Sequence, residues 1–435
     1  MALSGIVAGL CRDRNCTSLF RPALPQTILK ADNSARSFMT LAKYGTSKTL
    51  LRCEYFKSLP SNNYLKISIL NRQISEYLDR YVSGKNLTRE DCQNEKCLIN
   101  WSENEFAQLI LSSLVTELMD THHNKQLSFL DLSLDEKIYL IAIICYYYNG
   151  VGTSKLEHFV NSFLGKRRGS LYLASQAQVQ VQERNIFHEK LLLTHLKNDF
   201  ERFTILKKDD ERLHLLLAIL EGEKFEHDAG RKHLYGNIFR DLTRFSVFGK
   251  NSLNKTPVFI INGIDENGYF FHKNEVNRVS LELFCRSSVS QDILYMVMAN
   301  HFYLSVFYPK IDGINIEDAI IRKDKFPTHT ITWNTKSLVN YADYVLQQMN
   351  KNATETRCKP FTDFKTLVNF SNKKIAVIIE KIPTPRALHY FMSALILEMN
   401  NDANSVKRFE ATFENVHAAY EESYPSYEKR HKIKE

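Results

Sequence analysis

The segment Arg231–Phe245 combines cationic and aromatic side chains in a pattern that suits nucleic acid. On a helix, its basic and aromatic residues fall in and around one strip. Arginine pairs with phosphate and aromatic rings stack on unstacked bases, so such a strip can bind single-stranded RNA. The alternative is a solvated amphipathic helix whose aromatic residues belong to the core. The residues predicted to contact RNA are Lys166, Arg167, Arg168, Lys232, Tyr235, Arg240 and Arg244.

The strict signatures of common enzyme classes are absent from the sequence. It contains no G-x-x-x-x-G-K-[ST] loop for phosphate, no G-x-G-x-x-G, no G-x-S-x-G and no H-E-x-x-H. His417 with Glu421, and His195 with Asp199, could share helical faces, but among 14 histidines such coincidences are expected. We therefore predict no catalysed reaction, no catalytic residue, no metal and no cofactor.

The eight cysteines are scattered along the chain. Cys92 and Cys97 lie close together, but no second pair stands nearby to complete a zinc site. This usage predicts unpaired thiols in a reducing compartment.

Positive charge is concentrated at the start of the chain. Residues 1–60 hold nine basic and three acidic side chains, which leaves only +2 of the net +8 for the remainder. The opening is amphipathic, rich in Ser and Arg and poor in acid, which is the composition of a mitochondrial transit peptide. We predict such a leader over residues 1–45 and a matrix location. A secretory signal fits this sequence less well. No Lys or Arg precedes the apolar stretch that ends at Leu10, and charged residues begin directly after it at Arg12. An N-terminus without any address remains the other alternative.

No stretch has the 18 or more apolar residues of a membrane span, so no transmembrane segment is predicted. The apolar runs Ile138–Tyr148 and Ile293–Tyr308 are interpreted as buried helices. The second could also lie against a membrane surface, which would make the protein peripheral to the inner membrane.

The elements that must position the basic strip are predicted to be helices. Apolar residues recur with helical period over residues 67–82, and Gly84 stands at the expected end. Capping boxes begin at Ser102, Ser133 and Ser154. Short connections predict helical hairpins. Further helices are predicted at Asp210–Glu221, His227–Phe245, Asn277–Arg286, Gln291–Phe307, Ser337–Met349, Pro385–Met399 and Ser405–Glu422.

Two stretches depart from the helical pattern. Pro257–His272 carries Asn-Gly dipeptides beside apolar runs, which predicts a β-hairpin or an irregular loop. Lys374–Ile379 could be a short strand or the end of a helix, since periodicity does not decide runs this short. The predicted fold class is mainly α, with stacked helical hairpins resembling an irregular α-solenoid and one short β-hairpin near 257–272. Residues 46–250 and 251–435 are the predicted N-terminal and C-terminal helical regions.

A leader followed by weakly patterned helices rich in Lys, Asn, Ile and Phe resembles fungal mitochondrial gene-expression factors of the degenerate pentatricopeptide-like or α-solenoid type. The segment Asn334–Met349 looks like one such helix pair compressed, and the similarity covers about a third of the chain. The resemblance implies translation activation or stabilisation of a mitochondrial mRNA through RNA binding, without catalysis.

Two other functions stay open. The protein could be a mitochondrial assembly factor or ribosome-associated protein that acts through protein contacts. It could also be a secreted bacterial effector enzyme, since the glutamate-bearing tail from Glu421 to Glu435 resembles translocation tails.

Overall fold

A parallel β-sheet lies at the centre of the molecule, so the predicted mainly α, solenoid-like class is wrong and the fold is α/β. The computed structural model describes residues 33–83, 85, 87, 91–94, 98–123, 147, 237–272, 275–320, 322–352, 363–402 and 410–431.

Seven strands are found in the described residues, five of them in the main sheet. They are β1 Phe38–Ala42, β2 Tyr64–Ile69, β3 Thr256–Ile261, β4 Phe271–His272, β5 Glu275–Val276, β6 Tyr303–Pro309 and β7 Thr328–Ile331. The main sheet has the order β2-β3-β6-β1-β7, and every neighbouring pair is parallel. The short strands β4 and β5 pair antiparallel in a second sheet.

Helices cover the sheet and form a separate bundle after it. They are α1 Lys48–Ser58, α2 Asn71–Ser83, α3 Glu103–His123, α4 Ile238–Ser252, α5 Arg278–Ser287, α6 Gln291–Met298, α7 Thr335–Asn352, α8 Phe364–Leu367, α9 Lys373–Glu380, α10 Pro385–Asp402 and α11 Phe413–His431.

Both faces of the main sheet are buried, which explains the nearly continuous burial of its interior strands β1, β3 and β6. One face packs with α2 to α6 in a large core that includes Phe259 and Leu304. The other face packs against α1 through Leu51 and Tyr55. Helices α7 to α11 have a core of their own, and Trp333 contacts both this core and that of α1.

Several helix starts were predicted correctly. Ser102 and Glu105 form the expected capping box, with the Ser102 N–H donating to Glu105 Oε2 at 3.0 Å. Asn277 caps α5 by accepting from the Ser280 N–H at 3.0 Å. Thr384 caps α10, where its hydroxyl oxygen accepts from the Ala387 N–H at 3.2 Å. The open choice at residues 374–379 is decided in favour of a helix, α9.

The errors concern short apolar runs that a helical pattern also fits. The predicted helix Gln291–Phe307 is α6 followed by β6, and residues 67–69 end β2 before α2 begins. The predicted hairpin near 257–272 is instead the interior strand β3, and Asn262-Gly263 leads into a 3₁₀ turn. Residues 335–352 form one continuous helix, α7, and no compressed helix pair.

Other predictions lie outside the described residues: the capping boxes at Ser133 and Ser154, Gly84, the hairpin of residues 138–164 and the helix at 210–221. The expectation of unpaired thiols is wrong for Cys92, which is disulfide-bonded. Cys285 is a buried free thiol, and burial raises the pKa of that thiol. Within the described ranges, no helix has both the length and the apolar character needed to cross a bilayer.

Candidate functional site

A loop of residues 43–47 joins the carboxyl end of β1 to the start of α1. β1 lies inside the sheet, with β6 on one side and β7 on the other. Open α/β sheets bind their ligands at the carboxyl ends of the strands. The loop therefore occupies the edge of the sheet where a binding site is expected.

Two residues of this loop have left-handed backbone conformations. Gly45 has φ 78° and Ser47 has φ 71°. For a residue with a Cβ this conformation costs about 1–2 kcal/mol. The Thr46 hydroxyl fixes the loop by donating to the Lys43 carbonyl oxygen at 2.6 Å. Left-handed residues in such turns can direct successive N–H groups into an anion-binding concavity.

The start of α1 also favours an anion. Ser47 caps the helix without a side-chain hydrogen bond, and the first turn carries no acidic residue. The first amides of a helix have no intrahelical acceptor, and the helix dipole places partial positive charge there. Loop and helix together present N–H groups suited to phosphate.

Lys48, the first residue of α1, is buried beneath the loop. Its ammonium donates to the carbonyl oxygens of Ala42 at 3.1 Å and Lys43 at 3.2 Å. It also forms an ion pair with Asp265 Oδ2 at 2.8 Å, and the two side chains are only 5% and 12% exposed. A buried ammonium requires such partners, because burying an unpaired charge is very costly.

The partner Asp265 lies on the 3₁₀ turn Ile264–Glu266 that follows β3. Gly263 precedes this turn with φ 86°, and a Cβ there would lie 3.0 Å from the Asn71 backbone nitrogen. The Asn71 side-chain amide donates to the Glu266 carbonyl oxygen at 3.1 Å. This hydrogen bond fixes the acidic turn against the start of α2.

A second polar contact links β3 to α1. Asn262, directly after β3 and only 4% exposed, donates from Nδ2 to Thr49 Oγ1 at 3.4 Å. Its Oδ1 finds no hydrogen-bond partner among the described residues. The exposed Thr49 is the second residue of α1, immediately after Lys48.

The C-terminal helices reach the loop from the other side. The Trp333 indole N–H donates to the Thr46 carbonyl oxygen at 3.1 Å. The Arg386 N–H, in the first turn of α10, donates to the Gly45 carbonyl oxygen at 3.4 Å. The Arg386 guanidinium carbon lies 4.4 Å from the centre of the Tyr44 ring. The loop is thus shared between the sheet and the helical bundle.

Charges of both signs converge on Tyr44. Burial raises the pKa of its hydroxyl, the carboxylates of Glu266 and Asp265 raise it further, and Arg386 lowers it. Two cations, Lys48 and Arg386, and two acids thus surround the loop. An anion that enters the loop would be attracted by Lys48 and Arg386. It would compete with the carboxylates of Asp265 and Glu266 for these two cations.

The predicted RNA-binding residues are only partly described. Lys166, Arg167, Arg168, Lys232 and Tyr235 lie outside the described residues. Arg240 and Arg244 are exposed on α4 and line a groove of about 700 Å³ together with Phe239, Thr243, Asp292, Tyr295 and Met296. This groove borders α4 and α6 and shares no lining residue with the loop at Lys48.

The loop was missed in the sequence because both motif glycines are replaced. The segment Ala42–Thr49 reads A-K-Y-G-T-S-K-T, with Ala42 and Ser47 at the glycine positions of G-x-x-x-x-G-K-[ST]. A search that required only Lys-Thr after an apolar strand and a Gly-containing loop would have found it. In the described residues there is also no group of three or more His, Cys, Asp or Glu side chains placed to hold a metal ion.

No known protein family, curated protein or solved structure matches this chain.

Proposed function

We propose that the loop of residues 43–47 and the N-terminus of α1 bind the phosphate groups of a nucleoside triphosphate. The observation that carries the proposal is the position of Lys48, buried under the loop at the first position of α1. In phosphate-binding loops the backbone N–H groups cradle the phosphates, and a lysine at this position reaches the outer ones. Thr49 follows, as the hydroxyl residue does in such loops.

The replacement of glycine by Ser47 is compatible with this proposal. Glycine serves in such loops because it adopts left-handed conformations and lets a ligand approach the backbone. Ser47 already has the left-handed φ of 71°. Ser47 thus adopts a conformation of the kind for which such loops use glycine, although at an energetic cost that glycine would avoid.

Binding would exchange the partners of Lys48. Without an anion, Asp265 and two carbonyl oxygens hold its ammonium. A phosphate in the loop offers charged oxygens that compete with Asp265, and charge-assisted hydrogen bonds are the stronger kind. Lys48 would take the phosphate as a partner in place of its carbonyl acceptors, with Asp265 remaining beside the ammonium.

The bundle α7 to α11 would respond to the ligand through its contacts with the loop. Trp333 and Arg386 bind the carbonyl oxygens of Thr46 and Gly45. A phosphate would also attract the Arg386 guanidinium away from the Tyr44 ring. We therefore propose a nucleotide-dependent switch between the sheet and the bundle. The proposal concerns binding, and the absence of a catalysed reaction stays a prediction.

Titration with the fluorescent nucleotide N-methylanthraniloyl-ATP tests the proposal. Replacing Lys48 with Met removes a charged hydrogen-bond donor worth about 1.5–3 kcal/mol, which corresponds to a roughly tenfold to hundredfold higher Kd. Lys57→Met is the matched control, because Lys57 is exposed at the other end of α1. It should leave the Kd unchanged.

The substitution leaves Asp265 buried without its cation, so folding is checked by circular dichroism. If the single variant does not fold, the double variant Lys48→Met, Asp265→Asn is used in the titration in its place. The double variant removes both charges and so leaves no buried charge without a partner. Equal affinity in wild-type protein and a folded Lys48 variant would refute the proposed site.

We also propose single-stranded RNA as a ligand of the separate groove beside α4. Arg240 and Arg244 lie one helical turn apart and exposed, beside Tyr295, which is 55% exposed. Cations next to an accessible ring suit phosphate and stacked bases. The partner would then be a mitochondrial mRNA or the mitochondrial ribosome.

Charge reversal tests this second proposal. Arg240→Glu with Arg244→Glu should weaken RNA binding and flatten its salt dependence. Lys323→Glu with Lys325→Glu makes the same charge change at two other exposed positions and serves as the control. Equal losses in both double variants would show that bulk charge, and not the groove, governs binding.

The mitochondrial address stays a proposal and is tested separately. Residues 1–60 fused to a fluorescent reporter should carry it into mitochondria. A reporter that stays in the cytosol would contradict the mitochondrial address and favour the secreted-effector alternative.

A further inference from the structure

The polar group that faces Thr49 from the end of β3 is an amide and not a carboxylate. Asn262 occupies this place, buried at 4% exposure, with Nδ2 donating to Thr49 Oγ1 at 3.4 Å. Its Oδ1 has no hydrogen-bond partner among the residues described here. The amide therefore supplies one neutral oxygen and no charge.

A magnesium ion bound with nucleotide needs a different set of groups. Mg²⁺ is usually held by one or two carboxylates together with substrate phosphates. In phosphate-loop proteins the carboxylate comes from an aspartate and acts together with the loop Ser or Thr. In this chain the residue that contacts Thr49 is neutral, and the carboxylate of Asp265 is bound to Lys48 at 2.8 Å. The groups present fit a nucleotide-bound divalent cation poorly.

Other positive charges are available to neutralise a phosphate. Lys48 lies under the loop, Arg386 lies above the Tyr44 ring, and the N-terminus of α1 adds its dipole. None of these contributions requires a metal.

We infer that this site binds nucleoside triphosphate with little dependence on a divalent cation, and that Asn262 is the residue that sets this property. The inference rests on the proposed function and deepens it, because it specifies the metal-free nucleotide as a competent ligand.

The first test compares two titrations of wild-type protein with N-methylanthraniloyl-ATP, one with excess Mg²⁺ and one with EDTA. The two Kd values should agree within about threefold. This difference is smaller than the roughly tenfold loss of affinity that follows when a residue supporting a metal ligand is removed. A Kd more than about tenfold lower with Mg²⁺ would overturn the inference and leave the proposed function standing. No binding under either condition would refute the proposed function itself.

The second test restores the carboxylate. Asn262→Asp should create a Mg²⁺ preference of about tenfold or more, because the new carboxylate lies beside Thr49. Asn400→Asp is the matched control. It makes the same change at an exposed position 14 residues after Arg386 on α10, about 21 Å along the helix.

A folded Asn262→Asp protein with no greater Mg²⁺ preference than the Asn400→Asp control would contradict the role assigned to Asn262. If burial of the new carboxylate prevents folding, the wild-type comparison decides alone.

Discussion

Replacing Asp265 with Asn should weaken the fold and strengthen nucleotide binding at the same time. Asp265 holds the Lys48 ammonium at 2.8 Å, and both side chains are largely buried. An asparagine of similar shape keeps an oxygen that can accept a hydrogen bond, but removes the charge. A phosphate entering the loop would then meet a lysine without an anionic partner.

The magnitudes follow from the geometry. Two unit charges at 2.8 Å attract by about 6 kcal/mol at an effective dielectric constant of 20. Removing one partner of a buried pair typically costs about 3–5 kcal/mol. Lys48 keeps its two carbonyl acceptors, so we expect a loss of about 2–3 kcal/mol in the free energy of unfolding. For the nucleotide we expect a Kd about tenfold lower, which is about 1.4 kcal/mol.

Urea denaturation measures the first effect and N-methylanthraniloyl-ATP titration in EDTA measures the second. Glu421→Gln is the control, because it removes one carboxylate charge from an exposed position on α11. It should change both quantities little. Unchanged or weaker nucleotide binding in folded Asp265→Asn protein would refute the idea that this acid competes with phosphate for Lys48.

Three further predictions concern the surroundings of the loop. Burial, aided by Arg386, lowers the pKa of His389 to about 4, and an unfolded histidine has a pKa of about 6.5. The unfolded chain therefore binds the proton first as the pH falls, so the free energy of unfolding should decline between about pH 6.5 and pH 4. His389→Gln should make the free energy of unfolding, measured by urea denaturation, depend less on pH in this range. Gly263→Ala should lower the free energy of unfolding by about 1–2 kcal/mol because its φ is positive, whereas Gly249→Ala, inside α4, should raise it by up to about 1 kcal/mol; equal changes would contradict this. Tyr44→Leu should lower stability by about 1 kcal/mol through loss of the ring under Arg386. Tyr44→Phe keeps the ring and loses only the hydroxyl that hydrogen-bonds Arg386, so it should lower stability by less in the same assay.

The helices with explicit capping signals could be predicted from the sequence, because those signals are local. Ser102 with Glu105 and Thr384 with Pro385 mark helix starts within four residues, and the side chains make the expected hydrogen bonds. The sheet could not be predicted in the same way. β1 pairs with β6 more than 250 residues later, and no local pattern records such pairing.

The composition of the buried parallel strands also made them hard to distinguish from helices in the sequence. β6 follows α6 after a few residues, and together they give one apolar run that a single helix would fit as well. Since both faces of the sheet are covered, the interior strands β1, β3 and β6 lack the alternation of polar and apolar residues that identifies a half-buried strand.

The candidate site was not recognised from the sequence, because its proposed chemistry depends on the backbone conformation of the loop more than on residue types. Ser47 takes the place of glycine only because the loop holds it at φ 71°. The acid-poor composition that predicts a leader extends into this region, where Lys43 begins the loop and Lys48 follows it. The predicted boundary at residue 45 stays untested, but β1 lies before it, so a chain lacking residues 1–45 would lose an interior strand of the sheet.

Hydrogen exchange of the backbone amides, measured with and without ATP, examines the phosphate-binding loop most directly. We expect slower exchange at residues 44–51 when ATP is bound, with no comparable change in α4. Protection confined to α4 or α6, with the loop unaffected at saturating ATP, would contradict this expectation.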